Sequence, residues 1–115
     1  MDYKDILVKH LIRVKNSLIY SEPHYVYKIE DSVHYRALIT NDYHDYKKVA
    51  EHQPEHSEII FKHLQKNFDI NKIGKIKLEW NRALKKYVVL DGCHRLAIMK
   101  HRNIKLKNHH YGVVN

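Results

Sequence analysis

The stretch Tyr87-Val88-Val89-Leu90-Asp91-Gly92-Cys93-His94-Arg95-Leu96-Ala97-Ile98-Met99-Lys100 decides how the chain is read. Its first half is an apolar run with β-branched Val88 and Val89, the composition of a buried strand. Asp91-Gly92 then predicts a tight turn, because glycine accepts a positive φ without a Cβ clash. The second apolar run, Leu96 to Met99, is followed by Lys100, His101 and Arg102, cations suited to the negative end of a helix dipole. The order is strand, Asp-Gly turn, helix, with Cys93, His94 and Arg95 in the first helical turn. A helix N-terminus presents backbone N–H groups without intrahelical partners and a partial positive charge. With a guanidinium and an imidazole beside it, the turn is expected to be an anion site, and phosphate is the natural occupant.

Outward from this stretch, Lys75-Ile76-Lys77-Leu78-Glu79-Trp80 alternates charged and apolar residues, the period of a half-buried strand. Asn81 to Lys85 is short enough to join it to the 87–90 strand as a hairpin. Upstream, Pro54 predicts the first turn of a helix, with Glu55 and Glu58 near its start and Lys62 and Lys66 near its end. Phe61, Leu64 and Phe68, with Ile60, form its expected core-facing side, and Asn67 to Asn71 the exit loop. Downstream, Ile104-Lys105-Leu106-Lys107 alternates again, and Tyr111 to Val114 suits a terminal strand.

The N-terminal part is read in the same terms. Leu7, Leu11, Val14 and Leu18 recur at helical spacing and predict a helix over 2–20, with a strand through Ile6-Leu7-Val8 as the competing reading. Ser21-Glu22-Pro23 breaks this element. Tyr25-Val26-Tyr27-Lys28-Ile29 has strand composition, and Val33-His34-Tyr35-Arg36 is left unassigned. Asn41-Asp42 is placed to cap a short helix over 43–51, with Tyr43 and Tyr46 on its core side. The expected architecture is α+β: a small mixed sheet with flanking helices, in one domain of 115 residues.

Net charge is +8, which suits phosphorylated partners, nucleotide or nucleic acid. The lysines run along the whole chain, so much of that charge is expected to be solvated surface. A single cysteine excludes an internal disulfide and a cysteine-based zinc site. The start, Met1-Asp2-Tyr3-Lys4-Asp5, lacks the build of a signal peptide, and no apolar stretch is long enough to span a bilayer, so a cytoplasmic protein is expected.

At Gly92-Cys93-His94-Arg95 the chain resembles the ParB/sulfiredoxin superfamily, whose members hold nucleotide phosphates on a Gly-x-x-Arg turn between a strand and a helix. The tetrad matches the sulfiredoxin signature. The wider Asp91-Gly92-Cys93-His94-Arg95 is similar to the Asp-Gly-His-His-Arg turn of ParB-like free-serine kinases, with Cys93 in place of the first histidine. The resemblance covers roughly residues 55–107 and leaves 1–54 unaligned. It implies that Gly92 admits a phosphate close to the backbone. Cys93 and His94 would present N–H groups, and Arg95 would contact phosphate oxygens or anchor the turn. In the kinase branch a carboxylate near the end of the first strand acts as base on the acceptor hydroxyl. By position this falls to Glu30, with Asp31 beside it. In the sulfiredoxin branch Cys93 is the redox nucleophile, and a helix N-terminus beside Arg95 and His94 is a setting that lowers a thiol pKa. Sulfiredoxins carry a small residue where this chain has Asp91, and Cys93 has the alternative of being a small side chain tolerated in a tight turn.

Three functions are therefore in view. The first is ATP- or ADP-dependent phosphorylation of a small-molecule hydroxyl. Its phosphates would lie on 91–95 and Mg²⁺ would be held mainly by the nucleotide, with Glu30, Asp31, Asp91 and His94 as candidate catalytic groups. The second is sulfiredoxin-like reduction of a sulfinic acid on a peroxiredoxin-like protein through Cys93. The third is a non-enzymatic ParB-like nucleotide or DNA binder. His34 and Arg36 are candidate substrate contacts, with a solvated loop edge as the alternative. Among eleven histidines, His52 and His56 have zinc-site spacing, but Pro54 lies between them and opposes the helix such a site needs. His109 and His110, if in a strand, would point to opposite faces. No metal held by the protein alone is expected.

Overall fold

The computed structural model describes residues 1–21, 24–50 and 57–114. Ile6–His10 is not helical but forms strand β1. The reason lies in what must be buried. Ile6, Leu7, Val8 and His10 are all buried, on both faces of the strand, which one helical stripe through Leu7 and Leu11 would not achieve. Of the remaining stripe residues, Val14 is buried in the following loop, whereas Leu18 is exposed. Tyr27 closes that loop: its Oη accepts from the Val14 N–H at 2.6 Å and donates to the Ile12 carbonyl at 2.7 Å.

β2 (Ile19–Ser21) and β3 (His24–Lys28) follow as an antiparallel pair, and β3 pairs antiparallel with β1, Val8 opposite Tyr27. A 3₁₀ turn at Ile29–Asp31 leads into α1 (Val33–Thr40), so the segment left unassigned in the sequence is helical. Ser32 explains why: its Oγ accepts from the Tyr35 N–H at 3.0 Å and donates to the Ile29 carbonyl at 2.7 Å, fixing both turn and helix start. α1 ends on Asn41 in the left-handed region. α2 (His44–Ala50) begins where Asp42 Oδ1 accepts from the His44 N–H, as the sequence predicts.

α3 (Glu58–Lys66) is capped by Ser57, whose Oγ accepts from the Ile60 N–H; Pro54, the expected start, lies outside the described residues. Phe61 is buried and Leu64 and Phe68 pack on the core, but Ile60 is 54% exposed and does not belong to the core-facing side. β4 (Ile76–Asn81) and β5 (Lys86–Asp91) form the expected hairpin, and α4 (Cys93–His101) follows through Gly92.

Residues 104–107 alternate without being a strand. β4's free edge is instead taken by β6 (Tyr111–Val114), in parallel. His109 and His110 sit in a 3₁₀ turn before it, not in a strand, and their rings lie 4.2 Å apart rather than on opposite faces.

The result is a mixed sheet in the order β2-β3-β1-β5-β4-β6. β1 and β5 pair in parallel at its centre, so residues from both halves of the chain share one sheet. One face carries the main core of strand residues such as Val8, Leu78 and Val89 against Ala37, Tyr46, Phe61, Leu96 and Ile98 of the helices. The opposite face holds a small cluster of Leu7, Val26 and Val88, flanked by Ile19 and Leu84, to which none of the described helices contributes. Among the described residues no helix is long and apolar enough to cross a membrane.

Candidate functional site

β1 and β5 run in the same direction, Ile6 beside Tyr87 and Leu7 beside Val88, so their carboxyl ends reach the same edge of the sheet. In open sheets with parallel strands that edge is where ligands lodge. β5 leaves it through Asp91 and turns at Gly92, whose φ of 110° is a conformation that L side chains rarely adopt. A Cβ at this position would also stand 3.1 Å from Ile76 Cγ1 and 3.1 Å from Arg95 Nη2. The α4 ladder opens with the Leu96 N–H donating to the Gly92 carbonyl at 2.9 Å, so the amides of Cys93, His94 and Arg95 precede it.

A cavity of about 610 Å³ opens at this edge. Its polar end is built from Lys9, His24, Asp91, Gly92, Cys93 and Arg95, and its apolar wall from Leu11, Val49, Ile60, Phe61 and Leu64. His10, His34 and His94 complete the lining from β1, α1 and α4. The three imidazoles form a row: the His10 and His34 rings are 5.1 Å apart, and His34 meets His94 edge-on at 4.4 Å. Phe61 lies 4.8 Å from His94, and the Tyr46 hydroxyl is 2.8 Å from His94 Nε2.

Arg95 is the anchor of the turn. Its Nη1 donates to the Gly74 carbonyl at 2.7 Å and its Nη2 to Asp91 Oδ2 at 3.3 Å. The guanidinium thereby ties the end of β5 to the loop before β4. Lys9, at the end of β1, is the other cation on the lining.

Burial pushes the Cys93 thiol up to about 12, with the Asp91 charge adding to it and Lys9 and Arg95 opposing. The thiol therefore keeps its proton near neutral pH, the reverse of what the isolated helix N-terminus suggests. Burial likewise lowers His10 to about 3, and its Nε2 accepts from the Val33 N–H at 3.3 Å, so the ring is neutral and structural. Tyr46 is raised by burial and by nearby Tyr43, so its hydroxyl stays protonated.

Of the residues singled out from sequence, Asp91, Gly92, Cys93, His94, Arg95 and His34 come together on this cavity. Glu30, Asp31 and Arg36 are not among its lining residues. β3 is antiparallel to β1, with Lys28 opposite Leu7 and Tyr25 opposite His10, so the chain leaves β3 towards the start of β1. Glu30 and Asp31 follow there, and Arg36 is exposed on α1. Lys9, His10, His24 and Phe61 were missed as site residues. The signal for Lys9 and His10 was the competing strand reading of Ile6-Leu7-Val8, which sets their backbone beside the end of β5.

Among the described residues no group of three or more His, Cys, Asp or Glu could hold a metal ion; His52 and His56 lie outside them. Compared with known proteins, the chain matches no family model, no curated protein and no solved structure. Fold and site together define a small α+β domain with a basic cavity at the carboxyl ends of a parallel strand pair.

Proposed function

We propose that this chain is a ParB/sulfiredoxin-like phosphotransferase that binds the phosphates of ATP or ADP at the Gly92 turn and phosphorylates a small-molecule hydroxyl. The observation that carries the proposal is the position of the turn: Gly92 and the α4 N-terminus open onto a cavity at the ends of parallel β1 and β5. Its volume of about 610 Å³ falls among those of small-molecule sites. Lys9 and the turn amides would bind phosphate oxygens, with Arg95 holding the turn in shape. The apolar wall of Val49, Phe61 and Leu64 suits the uncharged remainder of a nucleotide. Mg²⁺ needs few protein ligands when phosphates supply the rest, and Asp91, the carboxylate among the described lining residues, would be the group to complement it. Catalysis would come chiefly from positioning and charge stabilisation, as phosphoryl transfer allows.

The state of Cys93 favours this reaction over sulfinic acid reduction. A thiol raised to about 12 supplies little thiolate at neutral pH. Calorimetric titration of ATP and ADP, with Mg²⁺ and at low salt, tests the proposal. Binding is expected in the wild type, and Lys9→Ala is expected to weaken it about 10-fold or more, the loss of one charge-assisted contact of about 1.5–3 kcal/mol. Cys93→Ser is expected to change affinity less than about twofold. Absence of binding at millimolar nucleotide, or an unaffected Lys9→Ala variant, overturns it.

A further inference from the structure

We infer that the helix-free face of the sheet is a docking surface for double-stranded DNA, held through its phosphates without regard to sequence. The charge of the chain is unevenly placed. Residues 59–115 hold thirteen of its 21 Lys and Arg but three of its 13 Asp and Glu, so the positive excess belongs to this half. The same half supplies β5, β4 and β6, which lie side by side in the sheet. Ile76 and Leu78 are buried against the helices, so strand alternation turns Lys75 and Lys77 to the other face. Lys75 lies over Gly112 there, its Cδ 3.9 Å from where a Cβ would stand. Tyr87 and Val89 also pack on the helix side, which puts Lys86 on the free face with Val88. Across β1, Lys28 stands opposite Leu7 and shares its face. The hairpin turn carries Arg82 and Lys85, and its Leu84 packs on the cluster of Leu7, Val26 and Val88. Glu79 is the carboxylate that alternation sets among these cations. Lys28, Lys75, Lys77 and Lys86 form no ion pair among the described residues.

The chemistry of the face selects its occupant. The apolar centre is already covered, with Leu7 1% exposed, Val26 6% and Val88 8%. Exposed Leu90 and Val114 stand on β5 and β6 with β4 between them, so they form no continuous apolar patch. Protein interfaces are built on aromatic and apolar anchors and are poor in lysine. Attachment to an anionic bilayer grows with the apolar area that enters it. Single strands are held by stacking unpaired bases on aromatic rings. Here Tyr25, Tyr27, Tyr87 and Tyr111 all pack on the helix side, and Trp80 lies against Tyr87. Duplex RNA is held through its 2′-hydroxyls as well as its phosphates, whereas ammonium groups address phosphate alone. A row of unpaired lysines on adjacent strands therefore complements the backbone of a DNA duplex, whose neutralisation releases counterions. Lys9 alternates onto the same face but reaches the cavity, and the nucleotide site already uses it.

The test is fluorescence anisotropy of a labelled DNA duplex of about 20 base pairs, titrated with the full chain across a salt series. With four phosphates neutralised, log K is expected to fall against log salt with a slope of about −3.6, on the order of 100-fold in affinity between about 50 and 200 mM. The triple variant Lys28→Ala/Lys75→Ala/Lys77→Ala, at three exposed positions, is expected to bring the slope to about −1. Lys48→Ala/Lys62→Ala/Lys66→Ala removes the same charge from α2 and α3 on the helix side, and is expected to leave the slope within about 0.5 of the wild type. No duplex binding at low salt overturns the inference, and so does an equal loss of slope in the two triple variants. Competition identifies the occupant. Unlabelled DNA duplex, duplex RNA, polyglutamate and phosphatidylserine vesicles are added at equal anionic charge, and the DNA duplex is expected to displace the label best. A better competitor among the other three overturns the assignment to DNA.

Discussion

Gly92→Ala probes the turn on which the site is built. Two costs add. At φ 110° an added Cβ meets backbone strain of about 1–3 kcal/mol. The same Cβ would stand 3.1 Å from Ile76 Cγ1 and 3.3 Å from its Cγ2, and Ile76 is fully buried, so it has little room to yield. Overpacking of this kind costs about 1–3 kcal/mol. The third contact, Arg95 Nη2, is the far end of a side chain and can move, but only by loosening its bond to Asp91. The total is about 2–6 kcal/mol. With a urea m-value of about 1.5 kcal/mol per molar, a mid-range loss of about 4 kcal/mol lowers the unfolding midpoint by about 2.7 M. Gly112→Ala is the control, because a Cβ there would meet nothing nearer than Lys75 Cδ at 3.9 Å and no positive φ is involved. Its effect is expected within about 0.5 kcal/mol of zero. Urea melts followed by circular dichroism measure both. If Gly92→Ala falls within about 1 kcal/mol of Gly112→Ala, the reasoning about this turn is wrong.

Three further outcomes follow from the same geometry. Cys93, with its thiol held up to about 12, should be alkylated only slowly by iodoacetamide at pH 8 and faster on unfolding in urea; rapid labelling of the native protein would contradict the scarcity of thiolate. His10, lowered to about 3 by burial, leaves the unfolded chain binding a proton that the folded ring refuses. Stability should therefore fall as pH drops from about 6.5 towards 3, by at most about 1.4 kcal/mol per pH unit. His10→Gln should flatten that part of the profile, and an unchanged slope would show that other groups cause it. Ser32→Ala removes the cap of α1 and the bond to the Ile29 carbonyl from a fully buried position, and should cost about 1–2 kcal/mol in the same melts; a neutral variant would mean the helix start is set elsewhere.

The C-terminal half was the legible half because its local signals agree with its tertiary surroundings. Alternation in 75–80, β-branched Val88 and Val89, and the Asp91-Gly92 turn each specify one conformation, and the structure keeps all three. The N-terminal half misleads where period and burial compete. Leu7, Leu11, Val14 and Leu18 have helical spacing, yet a central strand buried on both faces needs no alternation, and β1 took that place. Lys9 and His10 were lost to view with it. Glu30 and Asp31 were expected at the site from their position alone, just after the strand at 25–29. Strand direction is a property of the pairing, and the antiparallel register of β1 and β3 reverses it. Tyr46 showed only as a core-facing aromatic, since no local pattern reveals that its hydroxyl meets His94, 48 residues away in sequence.

The central claim, that phosphate sits on the Gly92 turn, is tested most directly by titrating ATP with Mg²⁺ into nitrogen-15-labelled protein and following the backbone amides. The largest shifts are expected at Gly92, Cys93, His94 and Arg95, with Lys9 and Leu11 of the facing strand end next, and Lys9→Ala should need a higher nucleotide concentration to reach them. Shifts confined to the opposite face of the sheet around Leu7, Val26 and Val88, or none at millimolar nucleotide, would contradict it.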